Sequence, residues 1–242
     1  MVYFVSDVHL GFFEREKDKE QEEIFISWLN QIKNDCTVLV LLGDIFDYWF
    51  EYKTVIPSCF YRTVTALKDF IDIGITVEYL MGNHDFGHNN FFKNELGIEI
   101  IKTDIERIYF EKKFYLSHGD GKGNNFGYLI LKKILRNKVC QKLFSCVHPD
   151  IGITVALNSS RKSRKRTEKK YYGVEENDGM LNFAKNKIAE GFDFVVMGHR
   201  HFAEKKIFQF ENQKGEYINL GEWMENPHYG KFDGKTFELK KF

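Results

Sequence analysis

Residues 2–5 form a short apolar run that stops at Ser6-Asp7. Ile24, Trp28, Leu29 and Ile32 then recur at helical spacing and predict a helix over residues 19–32. Residues 37–42 read as a strand buried on both faces, ending at Gly43-Asp44. A second helix is expected over residues 60–73, stopped by Gly74, and residues 75–80 make the next strand, ending at Gly82-Asn83. This β-α-β-α-β rhythm predicts a mainly parallel sheet with right-handed crossovers.

The rhythm then changes. Residues 98–101, 105–110 and 113–116 are closely spaced short strands, the last running into Ser117-His118-Gly119-Asp120. Residues 122–172 read as helices over 128–136, 139–146 and 149–159, with Leu131, Ile134, Leu135, Val139, Leu143 and Phe144 three or four apart. A helix over 177–190 follows, then a strand over 192–197 that leads into Gly198-His199-Arg200-His201. Four short strands end the chain, over 204–210, 217–220, 228–232 and 236–240, with a hairpin signal at Asp233-Gly234. No internal repeat or low-complexity linker interrupts this order.

The chain has 242 residues, 43% of them hydrophobic, enough for one large domain or one domain with an elaborated insertion. Lys+Arg and Asp+Glu both number 35, so the net charge is zero and no basic coat covers the whole chain. The average hides a dipole. Residues 122–172 hold thirteen Lys and Arg against Asp150 and Glu168, a local +11 that leaves −11 on the remainder. Seven of those cations fall within residues 161–170. A basic, amphipathic, helical element suits an anionic membrane surface or an anionic lipid head group. The same run has no interleaved aromatic for base stacking, so no nucleic-acid partner is expected. No apolar run approaches the ~20 residues of a membrane helix. Residues 1–10 carry Asp7 and His9 and no basic leader, so no signal peptide is expected. Cys36, Cys59, Cys140 and Cys146 form no CxxC pair and read as buried reduced thiols of a cytosolic protein.

Five polar clusters follow strands: Asp7-Val8-His9, Gly43-Asp44, Gly82-Asn83-His84-Asp85, Ser117-His118-Gly119-Asp120 and Gly198-His199-Arg200-His201. Sites in open α/β sheets form outside the carboxyl ends of strands, so five separate stretches can deliver side chains to one place. Asp, Asn and His without thiolate suit Mn²⁺, Fe²⁺ or Zn²⁺. Gly43, Gly82 and Gly198 allow the sharp turns that would aim the next side chain at a common centre.

This ordered set resembles the calcineurin-like metallophosphoesterases, whose pattern is D-x-H, G-D, G-N-H-[DE], H and G-H-x-H. The resemblance implies an α/β fold: a four-layer sandwich of mixed sheets flanked by helices. The core would be residues 1–121 and 173–242, and residues 122–172 a helical lid insertion. It implies two divalent metal ions, with Mn²⁺ expected. Asp7, His9, Asp44 and His201 would hold one; Asp44, Asn83, His118 and His199 would hold the other, Asp44 bridging. Two such ions about 3.5–4 Å apart clamp a phosphoryl group and activate a water. His84 would support the transition state or protonate the leaving oxygen, with Asp85 orienting its ring.

A narrower resemblance is to the UDP-2,3-diacylglucosamine diphosphatases of lipid A biosynthesis. It is carried by Ser6-Asp7-Val8-His9-Leu10-Gly11, the stretches 43–50, 118–121 and 135–150, Asn158-Ser159-Ser160-Arg161-Lys162-Ser163, and Asn219-Leu220-Gly221-Glu222-Trp223. Many members carry Arg where this chain has His84. The resemblance implies cleavage of a lipid-linked UDP-sugar to UMP and 2,3-diacylglucosamine 1-phosphate by a cytoplasmic enzyme peripheral to the inner membrane. Asn83, Asp120, Ser160, Arg161 and Lys165 would contact substrate. The alternatives are a phosphoesterase acting on another nucleotide diphosphate or a nucleic-acid phosphodiester, and a metal-bound scaffold without turnover. Trp49 and Phe50 fit core packing as well as substrate contact, Trp223 is expected in the core, and residues 121–125 are expected to hinge into the insertion.

Overall fold

The computed structural model describes residues 1–123, 126–167, 178–211 and 213–242, with side chains at all of these except 126 and 161–167. Strands β1 (Val2–Val5), β2 (Val38–Leu41), β3 (Thr76–Leu80) and β4 (Ile100–Ile101) pair in parallel. Strands β10 (His228–Phe232) and β11 (Phe237–Lys241) add antiparallel to the free edge of β1, giving the order β11-β10-β1-β2-β3-β4. The second sheet takes β5 (Ile105–Tyr109), β6 (Lys112–Ser117), β7 (Phe194–Met197), β8 (Ala203–Gln209) and β9 (Lys214–Leu220), in the order β5-β6-β7-β9-β8. Its three central strands are parallel and its edges antiparallel.

Alternation along each strand divides the core into layers, because successive side chains point to opposite faces. Val2 and Phe4 of β1, with Phe232 of β10 and Phe237 of β11, face the second sheet, where Phe114 and Phe194 meet them; ring centroids lie 4.7 Å apart for Phe114–Phe194 and 5.2 Å apart for Phe4–Phe237. Tyr3 and Val5 face the other way, onto α1 (Arg15–Ile32) and α2 (Tyr61–Asp72) through Phe25, Trp28, Leu67 and Phe70. On the far side, Tyr115, Val195, Met197 and Tyr217 pack against α6 (Gly179–Ala189). The result is the expected four-layer sandwich. Each fully buried Phe contributes roughly 1.5–3 kcal/mol. Trp223 lies in the helix-side core as expected. The hairpin at Asp233-Gly234 closes with Asp233 Oδ1 accepting from Lys235 N and Thr236 N.

The link from β6 to α6 carries α3 (Phe126–Leu135), α4 (Lys138–Phe144) and α5 (Pro149–Thr167). Asn137 caps α4 by accepting from Val139 N and Cys140 N, and Pro149 starts α5, where its missing N–H leaves no bond unmade. Among the described residues of these three helices only Gly152 is buried. Leu131 and Ile134 are each 50% exposed, Val139 66% and Leu143 68%. The helical spacing of these positions therefore marks a face turned to solvent.

Several boundaries differ from expectation. Helix α1 starts at Arg15 because its first buried positions, Asp18, Gln21 and Glu22, are polar and carry no hydrophobic signal. The strand expected over 98–101 shrinks to two residues. Ile98 drops into the core after a π-type turn at Phe92–Leu96, which ends at Gly97 with φ +80°. Helix α5 continues past residue 159 to Thr167, as no Gly or Pro intervenes. All four cysteines are unpaired, but only Cys36 is buried; Cys146, on the insertion, is exposed. The expected hinge at residues 121–125 lies partly outside the described residues.

Candidate metal centre

The loops after β1 and β2 continue the pairing of their strands. Asp7 N donates to Gly43 O at 3.1 Å, His9 N to Asp44 O at 3.0 Å and Leu10 N to Ile45 O at 3.0 Å. Helix α1 holds the first loop from behind, with Gln21 Nε2 donating to Val8 O at 2.5 Å and Gly11 N donating to Asp18 Oδ1 at 2.6 Å. Asp7, His9, Asp44, His199 and His201 all have positive φ, between 52° and 69°. Among the described non-glycine residues only Phe110 and Glu111, in the β5–β6 turn, share that conformation. Such left-handed backbone is costly for residues with a Cβ, and its concentration at one spot marks stored strain at a functional site.

Each central carboxylate divides its two oxygens between two tasks. Asp7 Oδ2 accepts from His199 N at 2.8 Å, while Oδ1 lies 3.3 Å from His201 Nε2 and 3.7 Å from His9 Nε2. Asp44 Oδ1 accepts from His84 N at 2.7 Å, while Oδ2 lies 3.3 Å from His118 Nε2 and 3.8 Å from His9 Nε2. Asn83 Oδ1 is 2.9 Å from His118 Nε2. Ligand atoms within 4.8 Å of one another form three overlapping sets: Asp7, His9 and His201; His9, Asp44 and His84; Asp44, His118 and His199. A Cβ on Gly82 would collide with Asp44 Oδ1, and one on Gly198 with Asp7 Oδ2, so both glycines are required by close approach to the carboxylates.

The electrostatics are those of a buried cation site. Burial would raise the Asp7 carboxyl, but hydrogen bonds and charge from His201 and His9 hold it well below the carboxylate range. Asp44 is held down in the same way, against burial, by His118 and His84. Burial would lower His118, yet Asp44, with Asp7 and Asp120 behind it, pushes that imidazole up to about 10. His199 goes down to about 4, by burial and then by the charge of His118. Asp7 Oδ1 is buried and faces the His201 and His9 imidazoles at 3.3 and 3.7 Å, turned into the cluster. Two ionised carboxylates out of water require positive charge. Oxygen and imidazole donors converging on that point fit divalent metal ions.

Behind the cluster, His118 Nδ1 lies 2.7 Å from Leu42 O and His9 Nδ1 lies 3.3 Å from Asp47 Oδ1, which leaves each Nε2 to face inward. Asp47 was missed as a functional residue. The available signal was an acid inside the apolar and aromatic run Ile45-Phe46-Asp47-Tyr48-Trp49, a setting where an acid is buried only with a partner. Asp47 also does what Asp85 was expected to do. Its backbone O and Oδ1 lie 3.2 and 3.4 Å from His84 Nδ1. The Asp85 carboxylate is instead engaged by Gly82 N at 2.7 Å, Ile45 N at 3.0 Å and Tyr79 Oη at 2.6 Å, so it staples the loops after β2 and β3 together.

The expected substrate contacts fall in different places. Ser160 Oγ is 3.3 Å from His84 Nδ1, which brings α5 over the cluster. Asp120 has its carboxylate engaged by Tyr128 Oη at 3.0 Å and Lys132 Nζ at 2.7 Å; it ties α3 to the core rather than offering substrate an open acceptor. The side chains of Arg161 and Lys165 lie outside the described residues. Trp49 is fully buried and stacks on His88, which settles it as core, while Phe50 packs edge-on against Phe144 of α4.

Comparison with known proteins agrees with this geometry. A UDP-2,3-diacylglucosamine hydrolase of Porphyromonas gingivalis is 30% identical, over 99% of this chain and 96% of that protein. One of Haemophilus influenzae is 27% identical, over 93% of this chain and 91% of its own length. One of Pseudomonas fluorescens is 25% identical, over 100% of this chain and 95% of its own. The calcineurin-like phosphoesterase model matches residues 1–203. With the strand-end Asp, Asn and His residues of that family gathered on one buried, cation-demanding spot, the chain belongs to the calcineurin-like phosphoesterases and is a metal-dependent hydrolase.

Proposed function

We propose that the protein is a UDP-2,3-diacylglucosamine diphosphatase, releasing UMP and 2,3-diacylglucosamine 1-phosphate. The observation that carries this reading is a phosphoesterase centre overhung by a basic insertion with an exposed apolar face. The named relatives, matched over nearly the whole chain, support it. Asp7, His9, Asp44 and His201 hold one divalent ion, and Asp44, Asn83, His118 and His199 a second, both Mn²⁺. When bound, the ions supply Lewis-acid polarisation of the phosphoryl oxygens and an activated water. Asp47 and Leu42 O fix the rings of His9 and His118 so that the ligands need no reorganisation. His84, with Ser160 beside it, faces the substrate from the insertion side and offsets charge developing on the phosphoryl group or protonates the leaving oxygen.

Residues 122–172 act as a lid. The α3–α5 apolar face meets acyl chains at the membrane surface, and Arg161 and Lys165 neutralise the diphosphate. Each Lys or Arg near an anionic bilayer adds about 1 kcal/mol. The proposed membrane contact is peripheral; no helix among the described residues is long and apolar enough to cross a membrane. Incubation with UDP-2,3-diacylglucosamine and Mn²⁺ should release UMP. Absence of UMP, alongside hydrolysis of soluble UDP-sugars, would overturn the lipid assignment.

A further inference from the structure

Beside the His118 end of the cluster lies a cavity of about 320 Å³, bounded by the ends of β3, β4 and β6 and by α3. Four cations line it, Lys102, Lys122, Lys132 and Arg136, against two acids, Asp104 and Asp120. Lys122 pairs with Asp104, and Lys132 with Asp120 at 2.7 Å. Arg136 is held by Gly82 O at 3.0 Å and stands 3.6 Å from Asp120, while Lys102 is exposed. Two positive charges are thus in excess. The rest of the lining includes a small apolar patch of Leu80, Met81 and Leu129. A cavity of this size that is cationic and partly apolar suits a compact anionic ligand with one flat apolar part.

The cluster has two sides. On the His84 side, α5 lies overhead through Ser160, and the exposed apolar face belongs to the same insertion. On the His118 side lies this cavity, too small and too charged for acyl chains. A diphosphate centred on the cluster extends one arm each way. With the acyl-sugar arm along the insertion, the other arm enters the cavity.

We propose that this cavity is the subsite for the nucleoside 5′-monophosphate half of the substrate, with the phosphate toward Lys132 and Arg136 and the base against Leu80, Met81 and Leu129. The assignment rests on reading the substrate as a nucleotide diphosphate, but not on the identity of its lipid. The test is inhibition of the Mn²⁺-loaded full chain by UMP, with uridine and inorganic phosphate as separate arms. Two variants are compared with the parent: Lys102→Glu, at an exposed position that folding tolerates, and Leu129→Trp, which fills the cavity. UMP should inhibit the parent more strongly than either fragment, and its inhibition constant should rise tenfold or more in both variants. An unmoved constant in Lys102→Glu and Leu129→Trp, or inorganic phosphate inhibiting as well as UMP, overturns the assignment. If soluble UDP-sugars are cleaved and the lipid substrate is not, while the variants still weaken UMP, the lipid reading fails and the subsite stands. If the lipid substrate is cleaved and the variants leave UMP inhibition unmoved, the subsite alone fails.

Discussion

The strand-end loops of the candidate metal centre and the segment carrying α3–α5 are built on opposite principles. In the loops Asp7, His9, Asp44 and His118 are buried, and the backbone is held left-handed at Asp7, His9, Asp44, His199 and His201. The insertion has one buried residue among those described, Gly152, and shows its apolar side chains to solvent. Its described ties to the core are mostly polar and include Ser160 to His84, Lys122 to Asp104, Lys132 and Tyr128 to Asp120, Arg136 to Gly82, Gln141 to Phe86 O, and Phe144 to Phe50. Rigid scaffold and adaptable cover are thus assigned to different stretches of chain.

The comparison breaks most decisively at Asp44. Replacing it with Asn should cost about 10³-fold or more in kcat, several kcal/mol of transition-state stabilisation, with circular dichroism and melting unchanged. Retained activity would remove the chemistry from the loops. Asp47→Asn touches the support rather than the ligand. It should weaken metal binding by about 10–100-fold, measured by calorimetry on the metal-stripped protein, since His9 loses the group that orients it. Val139→Glu with Leu143→Glu probes the insertion. Two lost apolar contacts should lower kcat/KM for the lipid substrate relative to that for a chromogenic phosphodiester by about tenfold or more, and weaken flotation with anionic vesicles. Equal losses on both substrates would show that the helices serve the core rather than the lipid.

A further effect, on stability rather than turnover, concerns the cost of burial in the core. Burial, opposed by the bond from Gly11 N, raises the Asp18 carboxyl to about 6. The folded chain then binds this proton more tightly than the unfolded chain. Stability from this group is full below about pH 4 and is lost as pH rises through about 6. Asp18→Asn keeps an acceptor for Gly11 and removes the charge. It should stabilise the protein by about 1–3 kcal/mol at neutral pH, and the gain should vanish in acid, as read by thermal melts across pH.

Much of the site was legible because its residues sit where strands end. The runs 37–42 and 75–80, and the glycines that stop them, put Asp44 and Asn83 at neighbouring strand ends on sequence alone. What stayed hidden was polar and buried. Asp18, Gln21 and Glu22 lie on the inner face of α1, and no hydrophobic period announces them. The role given to Asp85 was misread for a related reason. Adjacency in sequence suggested a partner for His84, yet the loop turns Asp85 toward backbone N–H groups, and Asp47, 37 residues away, takes the place. In the insertion, spacing at three and four correctly gave helices but not which side they bury, since that depends on what the helices pack against.

The position of β1 has a consequence for when the protein can work. It lies between β2 and β10, so its loop is braced on one side by residues 37–46 and on the other by a strand that begins at His228. Asp7 Oδ2 accepts from a backbone N–H 192 residues downstream, and Trp223 N donates to Asp7 O. Contacts of such separation form late, after the intervening chain has been closed. A ribosome-bound chain lacking its last strands would hold Asp7, His9 and Asp44 but not the geometry that makes them bind ions. Ion capture by Asp7 and Asp44 would thereby wait until residues 194–232 have been made and paired.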